Sequence, residues 1–210
     1  MELLKDLKWR YATKKFDPSK KIEPAQLQEI KEAIRLSPSS LGLQPYKVLQ
    51  ITDPKLRAQL REVSWQQSAI TDADILFVFC NMTAISDSYI EYIAELQRKE
   101  RNGSPESKQQ YLNFVKGYIH SLTPEQIADW SSKDCYLAAG IALAACAELQ
   151  IDSCPIGGFE PEGYDRILNL SAQGLNAALV LPIGFRSEED VYQHAAKVRK
   201  PMDQLFGTIK

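Results

Sequence analysis

Three short motifs have residue types that could bind a ligand, and the first is a pair of cationic side chains. Arg10 and Lys14 stand four positions apart, just after a predicted helix. They would bring positive charge to a site, but surface arginines and lysines are usually solvated, so this pair alone is also consistent with an ordinary surface. A second basic pair, Lys197 and Arg199, lies in the polar segment that begins at Glu188.

The other two motifs are loops that would supply hydrogen-bond donors and close backbone contact. Residues 37–45 (SPSSLGLQP) are rich in hydroxyl groups and turn formers and lie between a predicted helix and a predicted strand. Residues 155–159 (PIGGF) contain paired glycines, which let a flat ligand lie directly against the backbone. Taken singly, the first is also consistent with a connecting loop and the second with a simple turn.

Several common catalytic and binding motifs are missing from the sequence. There is no GxGxxG after a strand, no GxxxxGK[ST] and no GxSxG, so Rossmann, P-loop and α/β-hydrolase sites are unsupported. His120 and His194 are the only histidines, and they form neither an HExxH motif nor a Cys/His cluster, so we expect no metal site. A Ser-His-Asp triad would have to recruit one of these two histidines.

Length and composition favour a single globular domain over residues 1–210. The sequence has 44% hydrophobic and 25% charged residues and a formal net charge of −2, which gives no electrostatic reason to expect a nucleic acid or an anionic membrane as partner. The nearest approach to a membrane span, residues 137–149, is shorter than the roughly 18 apolar residues required. The first residues lack the apolar core of a signal peptide, so we expect a cytoplasmic protein with reduced, mostly buried cysteines.

Hydrophobic periodicity predicts helices that alternate irregularly with a few strands. The helices are expected at 2–8, from Pro24 to Pro38, at 54–60, at 86–99, through 111–118 and at 130–149, and Thr123 is a further predicted helix N-cap. Helix 130–149 has the most buried pattern. The strands are expected at 46–52, 75–80 and 178–183, with a short apolar run at 151–154, and Pro182 indicates an edge or a bulge. Because helices dominate, the fold class is α+β, with a small sheet flanked by helices, rather than doubly wound.

Taken together, and in the order in which they occur along the chain, the basic pairs and the two loop motifs resemble those of the nitroreductase family. The likeness consists of Arg-x-x-x-Lys at 10–14, Ser-Pro-Ser-Ser with Gln-Pro at 37–45, Pro-Ile-Gly-Gly-Phe at 155–159 and Lys-Val-Arg-Lys-Pro at 197–201. It runs from Lys8 to Pro201, nearly the whole chain. The resemblance implies an α/β sandwich with a small, mostly antiparallel central sheet, and an intertwined homodimer with two FMN molecules at the subunit interface.

The resemblance also implies which residues contact FMN. Arg10, Lys197 and Arg199 would hold its phosphate, and Lys14 would lie beside N1 and O2 of the ring, where a positive charge stabilises the reduced flavin. The complete set of implied cofactor contacts is Arg10, Tyr11, Ala12, Lys14, Pro38, Ser39, Ser40, Gly42, Gln66, Gln67, Pro155, Ile156, Gly157, Gly158, Lys197 and Arg199.

The resemblance also implies which part of FMN some of these residues would contact. Residues 38–40 would come from the partner chain and contact the phosphate and the ring system. The backbone N–H groups of Gly157 and Gly158 would face flavin N5 and O4, and Gln66 and Gln67, which follow Trp65, would place an amide over the ring edge.

The sequence departs from the family pattern at four positions. Gly157 stands where many relatives carry Glu, which would alter the pocket wall but leave the backbone contact intact. Gly42 replaces an Asn and puts one cross-subunit hydrogen bond in doubt. Ala12 stands where a Ser often helps to bind the phosphate, and Ala69 where some relatives offer a second Lys. These changes imply a flavin that is held less tightly or has a lower potential.

The implied activity is that of an FMN-dependent oxidoreductase with ping-pong kinetics. NADPH or NADH would pass hydride to flavin N5, and a nitroaromatic, a quinone or another flat acceptor would then take the same place. No dedicated catalytic side chain is required. Phe114 and Tyr118 are candidates for stacking on the acceptor, although they are also consistent with ordinary core aromatics. The alternatives are a free-flavin reductase, a flavin-binding protein without turnover, and a scaffold with no cofactor.

Overall fold

A four-stranded sheet with helices on both faces organises residues 1–209, which are the residues that the computed structural model describes. The strands are β1 Tyr46–Ile51, β2 Ile75–Met82, β3 Asp152–Ser153 and β4 Leu175–Gly184. The helices are α1 Glu2–Trp9, α2 Pro24–Arg35, α3 Pro54–Glu62, α4 Ala69–Asp72, α5 Asp87–Glu100, α6 Pro105–His120, α7 Pro124–Glu148, α8 Pro161–Ile167 and α9 Met202–Leu205.

All neighbouring strands are antiparallel, in the order β1-β2-β4-β3. Strand β2 was predicted from its unbroken apolar run, and it lies inside the sheet with both faces covered. Its side chains alternate between two cores. Leu76 and Val78 pack with α3, α4 and α8 on one face, whereas Phe77 and Phe79 pack with α2 and α7 on the other. The predicted α+β class with a small antiparallel sheet is therefore confirmed.

The prediction that Pro182 marks an edge or a bulge is wrong. Strand β4 lies between β2 and β3, and its register irregularity against β2 falls at Phe79 and Cys80, away from the proline. The Pro182 carbonyl accepts a hydrogen bond from the Cys154 N–H at 3.1 Å. Because the nitrogen and carbonyl of a strand residue point toward the same neighbour, the missing N–H faces the short β3 side, and the pairing with β2 loses no hydrogen bond.

Helix α7 is longer and less enclosed than the sequence indicates. It begins at Pro124, where Thr123 and Gln126 form a reciprocal capping box, and one face packs on β2 and β4. The opposite face leaves Leu137 and Ile141 exposed, although α7 has more buried residues than any other helix among the described residues, as predicted. No helix within residues 1–209 combines the length and apolar character needed to cross a membrane.

Two short helices, α4 and α8, were not predicted from the sequence. Helix α4 has only four residues and α8 has seven, which is too short for a clear hydrophobic period. They matter because they close the core beneath the loops at 63–68 and 155–159. Helix α8 approaches α3 so closely that a Cβ at Gly163 would lie 2.8 Å from the Val63 side chain. All four cysteines are buried, as predicted, and none forms a disulfide.

Candidate functional site

A cavity of about 530 Å³ brings the two ends of the chain together. The segment that follows α1 forms one side, the segment that follows the 3-10 turn at 191–194 forms another, and Pro155 completes the wall. Predicted site residues in its lining are Arg10, Tyr11, Ala12, Lys14, Pro155, Lys197 and Arg199, joined by Trp9, Tyr192 and Gln193. The structure thus unites basic pairs that are more than 180 residues apart in sequence.

The cations in this cavity repel one another. Burial lowers the pKa of Arg10, and the nearby charge of Arg199 lowers it further. The pKa of Lys197 is also lowered, mainly by burial and to a smaller extent by the charges of Arg10 and Arg199. None of the ion pairs within residues 1–209 includes Arg10, Lys14, Lys197 or Arg199, and the buried Nε of Arg10 has no hydrogen-bond partner. Like charges held together around the unused Arg10 Nε suit the binding of an anion, because an anion would offset the repulsion and could accept a hydrogen bond from that donor.

Asp190 fixes the backbone that carries Lys14. Its buried carboxylate accepts hydrogen bonds from the Tyr11 hydroxyl at 3.0 Å and from the N–H groups of Lys14 and Lys15 at 2.7 and 3.1 Å. Burial would raise the pKa of Asp190, but these hydrogen bonds outweigh it and hold the pKa below its ordinary value. Burial and Asp190 together raise the pKa of Tyr11 to about 12. Sequence reasoning missed Asp190, because nothing in the local pattern distinguishes it from Glu188 or Glu189.

The Asp190→Asn variant should show how much this carboxylate stabilises the fold. A carboxyl whose folded pKa is depressed contributes stability above its unfolded pKa, near 3.8, and that contribution disappears as the pH falls through the folded value. We therefore expect the difference in unfolding free energy between wild type and variant to be largest above about pH 5 and to shrink below about pH 4. Urea unfolding across this range measures it, and a difference that stays constant down to pH 2 would contradict the assignment.

A stacked arginine holds the same segment from its other side. The Arg186 guanidinium lies between the rings of Trp9 and Tyr11, 4.5 and 4.7 Å from their centroids. It also pairs with the buried Asp152, whose carboxylate accepts from Arg186 Nε at 2.8 Å and from the Thr13 hydroxyl at 3.3 Å. This cluster ties the residues after α1 to the ends of β3 and β4, and no sequence motif predicts it.

The glycine turn at 157–158 is anchored by its neighbours on both sides. Ile156 is buried and exchanges two backbone hydrogen bonds with Val180, at 2.8 and 3.0 Å, and Phe159 packs on Tyr164 in the core. The backbone at Ala12 runs beside Ser153, which brings the Lys14 ammonium 3.7 Å from the Cys154 sulfur, just before the turn. Lys14 and the turn therefore flank Pro155, as a flavin ring beside both would require.

Gln67 connects two predicted motifs that are far apart in the sequence. Its amide nitrogen donates to the Gly158 carbonyl at 2.8 Å and to the Ser64 carbonyl at 3.0 Å. Gln66 beside it is exposed and has a left-handed backbone, with φ of +59°. The structure thus places Gln67 against the glycine turn and leaves Gln66 exposed beside it in the chain.

The 37–45 loop does not line the cavity within one chain, and its donors are used internally. Asp134, fully buried on α7, accepts hydrogen bonds from the backbone N–H and the hydroxyl of Ser40 at 3.1 Å, and the Ser39 hydroxyl accepts from the Gln44 N–H at 2.9 Å. Burial raises the pKa of Asp134, and the bonds from Ser40 partly offset this rise. Gly42 has a φ of +68°, in the left-handed region that Gly and Asn adopt most readily.

The two aromatic candidates on α6 have different environments. Phe114 is 64% exposed and makes no core contact, so its interpretation as a core aromatic does not apply. Tyr118 is partly exposed and packs edge-on against Trp130, with ring centroids 6.2 Å apart. Neither residue lines the cationic cavity of its own chain.

Comparisons with known proteins point in one direction. The model of the nitroreductase family matches residues 7–185. A Bacillus subtilis protein provisionally named NAD(P)H nitroreductase YfkO is 33% identical over 196 residues, which cover 88% of this chain and 89% of that protein. A Staphylococcus epidermidis protein with the same provisional activity name is 30% identical over 210 residues, which cover 96% and 94%.

Solved structures share the fold at lower sequence identity. A Bacillus subtilis protein described provisionally as the nitroreductase ydfN superposes with a TM-score of 0.88 at 19% identity and covers 99% of both chains. A provisional nitroreductase of Exiguobacterium sibiricum, solved in complex with FMN, gives a TM-score of 0.84 at 18% identity and covers 100% of this chain and 98% of its own.

Proposed function

Because the chain belongs to the nitroreductase family, we propose that it is an FMN-dependent oxidoreductase that takes electrons from NADPH or NADH and delivers them to flat acceptors such as nitroaromatics and quinones. One observation supports this most directly. Arg10, Lys197 and Arg199 meet in one cavity without an ion-pair partner among the described residues, and the glycine turn follows the Pro155 wall of that cavity. This combination suits a ligand with a phosphate at one end and a flat ring at the other.

The residues present fit FMN. Burial, and then mutual repulsion, lower the pKa values of Arg10 and Lys197. A dianionic phosphate among Arg10, Lys197 and Arg199 would offset both effects and would supply the partner that the buried Nε of Arg10 lacks. The Exiguobacterium sibiricum neighbour, which was solved with FMN, has the same fold. Ala12, without a hydroxyl, contributes only close backbone packing beside Ser153.

The chain's contribution to the chemistry is positional and electrostatic. Bound FMN supplies hydride transfer from the nicotinamide to the acceptor. Lys14, held by Asp190 through its own backbone, would place an ammonium group where negative charge increases on flavin reduction. Gly157 and Gly158 would place backbone donors against the ring edge, and the Gln67 contact with Gly158 keeps that turn fixed. Solvent protonates the product, so no acid–base side chain is required.

A homodimer would complete the site. Exposed apolar side chains are present on α7, at Leu137 and Ile141, and on the adjoining α1, at Leu3, Leu4 and Leu7, and a second copy of this chain could cover them. Gly140 lies between the two α7 residues, and a Cβ added there would have no neighbour within 4 Å, which leaves room for a close helix approach. The partner's 37–45 loop would then supply the contacts of Pro38, Ser39, Ser40 and Gly42.

The purified protein should bind one FMN per chain and be reduced by NAD(P)H. We expect a yellow protein that has twice the mass of the chain in solution. When NADPH or NADH is added without oxygen, the flavin absorbance should bleach as the donor reduces the bound FMN. Bleaching should reverse on addition of menadione or a nitrofuran. Bound flavin that neither donor bleaches would identify a binding protein without turnover, and turnover confined to free FMN would identify a free-flavin reductase.

A further inference from the structure

Trp65 lies in the loop between α3 and α4, where the chain turns out of α3 through a hydrogen bond from the Gln66 N–H to the Arg61 carbonyl at 3.2 Å. It is 67% exposed, and both Trp65 and Gln66 have a left-handed backbone, with φ values of +52° and +59°. The left-handed position at a helix end is usually occupied by Gly or Asn, so a large aromatic residue there is unfavourable for the backbone. An exposed indole also forgoes the stabilisation that burial of a large ring provides. The loop thus bears two costs to hold one aromatic ring in the open.

The surrounding residues fix this loop. The Ser64 hydroxyl, fully buried, donates to the Leu60 carbonyl and lies 2.7 Å from the Tyr164 hydroxyl. The Gln67 amide binds the carbonyls of Ser64 and Gly158 on the other side of Trp65. The indole is therefore held in a defined position, although most of its surface is open to solvent.

The fixed position of the indole is against the glycine turn. A Cβ atom at Gly158 would lie 2.6 Å from Cζ3 of Trp65, so only glycine permits this approach. Tyr136 of α7 stands beside the other glycine, with its hydroxyl 3.7 Å from the Cβ position of Gly157. An exposed tryptophan and an exposed tyrosine thus flank the two glycines, just beyond Pro155 in the cavity wall.

We propose that Trp65 is a specificity-determining residue for the electron acceptor. Its exposed indole face receives the planar aromatic ring of the acceptor beside the Gly157–Gly158 turn. The inference rests on the proposed function, because it needs the flavin ring to lie along that turn. Stacking on an indole favours flat, electron-poor rings and gives nothing to a compact, non-planar acceptor. The acceptor class that Trp65 selects is therefore nitroarenes and quinones.

Binding of p-nitrobenzoate to the oxidised holoenzyme tests the proposal without turnover. The change in the visible flavin spectrum during titration gives the Kd. In the Trp65→Ala variant we expect the Kd to rise about tenfold, as loss of a stacking contact implies, whereas Trp65→Phe should stay within about threefold of wild type. Tyr92→Ala, which removes an exposed aromatic side chain of α5 that does not line the cavity, is the matched control and should leave the Kd unchanged.

A second readout compares acceptors of different shape. Holoenzyme reduced with dithionite should be reoxidised by menadione with about tenfold lower efficiency in Trp65→Ala, while reoxidation by ferricyanide, which does not stack, should change less than about twofold. Equal losses for both acceptors, or an unchanged Kd for p-nitrobenzoate, would overturn the proposal and leave the proposed function standing. Loss of FMN from Trp65→Ala would assign the indole to the cofactor and also overturn it. A wild-type protein that binds no FMN would overturn both.

Discussion

The double variant Lys197→Ala, Arg199→Ala is expected to release FMN on dialysis, whereas the wild-type protein retains it. Each charged hydrogen bond to a phosphate contributes about 1.5–3 kcal/mol, so the loss of two predicts at least a ~100-fold rise in the Kd for FMN. The expectation follows from the cavity, in which these two side chains and Arg10 have no ion-pair partner among residues 1–209. Flavin absorbance after dialysis and a titration of the apoprotein with FMN measure the effect.

Two controls separate binding from folding in this experiment. Lys200→Ala removes a neighbouring charge that does not line the cavity, and it should retain stoichiometric flavin. The Lys197 ammonium also donates to the carbonyls of Leu7 and Arg10 at the end of α1, so the thermal unfolding of each apoprotein must be compared. A folded double variant that still holds one FMN per chain would show that the phosphate lies elsewhere.

The sequence predicted those parts of the fold that depend only on residues close together along the chain. The unbroken apolar run of β2 and the Thr123 capping box each require only neighbours along the chain, and both are present in the structure. The prediction of an edge or a bulge at Pro182 was wrong because β4 has β3 as its outer neighbour. With only two residues, β3 has no periodicity from which the sequence could predict it. Exposure of Leu137 and Ile141 could not be predicted either, since the apolar character of a helix face does not reveal whether its partner is in the same chain.

The same division holds for the site. The basic pairs and the paired glycines were recognisable because their residue types are unusual at that spacing. The residues that position them were not: Asp190 is one of several acidic residues near position 190, and the contact of Arg186 with Asp152 spans 34 positions. Trp65 precedes the predicted glutamine pair, but only its exposure and its approach to Gly158 in the structure point to the role proposed for it. Long-range contacts of single residues leave no pattern in one sequence.

The second large effect is expected at Asp152, which anchors the site from within the core. Asp152 is 4% exposed, and its partner Arg186 lies between Trp9 and Tyr11, so the Asp152→Ala variant leaves a guanidinium without its counter-ion in a largely dry setting. Breaking a buried pair costs about 3–5 kcal/mol; because the Arg186 side chain is 22% exposed, we expect a loss of about 3 kcal/mol in unfolding free energy. Urea unfolding of the apoprotein measures it.

The loss of unfolding free energy depends on how deeply the ion pair is buried, and an exposed ion pair in the same chain provides the comparison. Asp129 and Lys133 lie 2.6 Å apart on α7 with side chains 67% and 69% exposed, so Asp129→Ala should cost less than about 0.5 kcal/mol. Replacing both partners, as in Asp152→Ala with Arg186→Met, should cost less than Asp152→Ala alone, because no unpaired charge then remains. Since Thr13 and the rings of Trp9 and Tyr11 lose their anchor together, Asp152→Ala should also weaken FMN binding, although Asp152 does not line the cavity. An Asp152→Ala variant as stable as wild type would show that the stacked arginine is held by the aromatic rings alone.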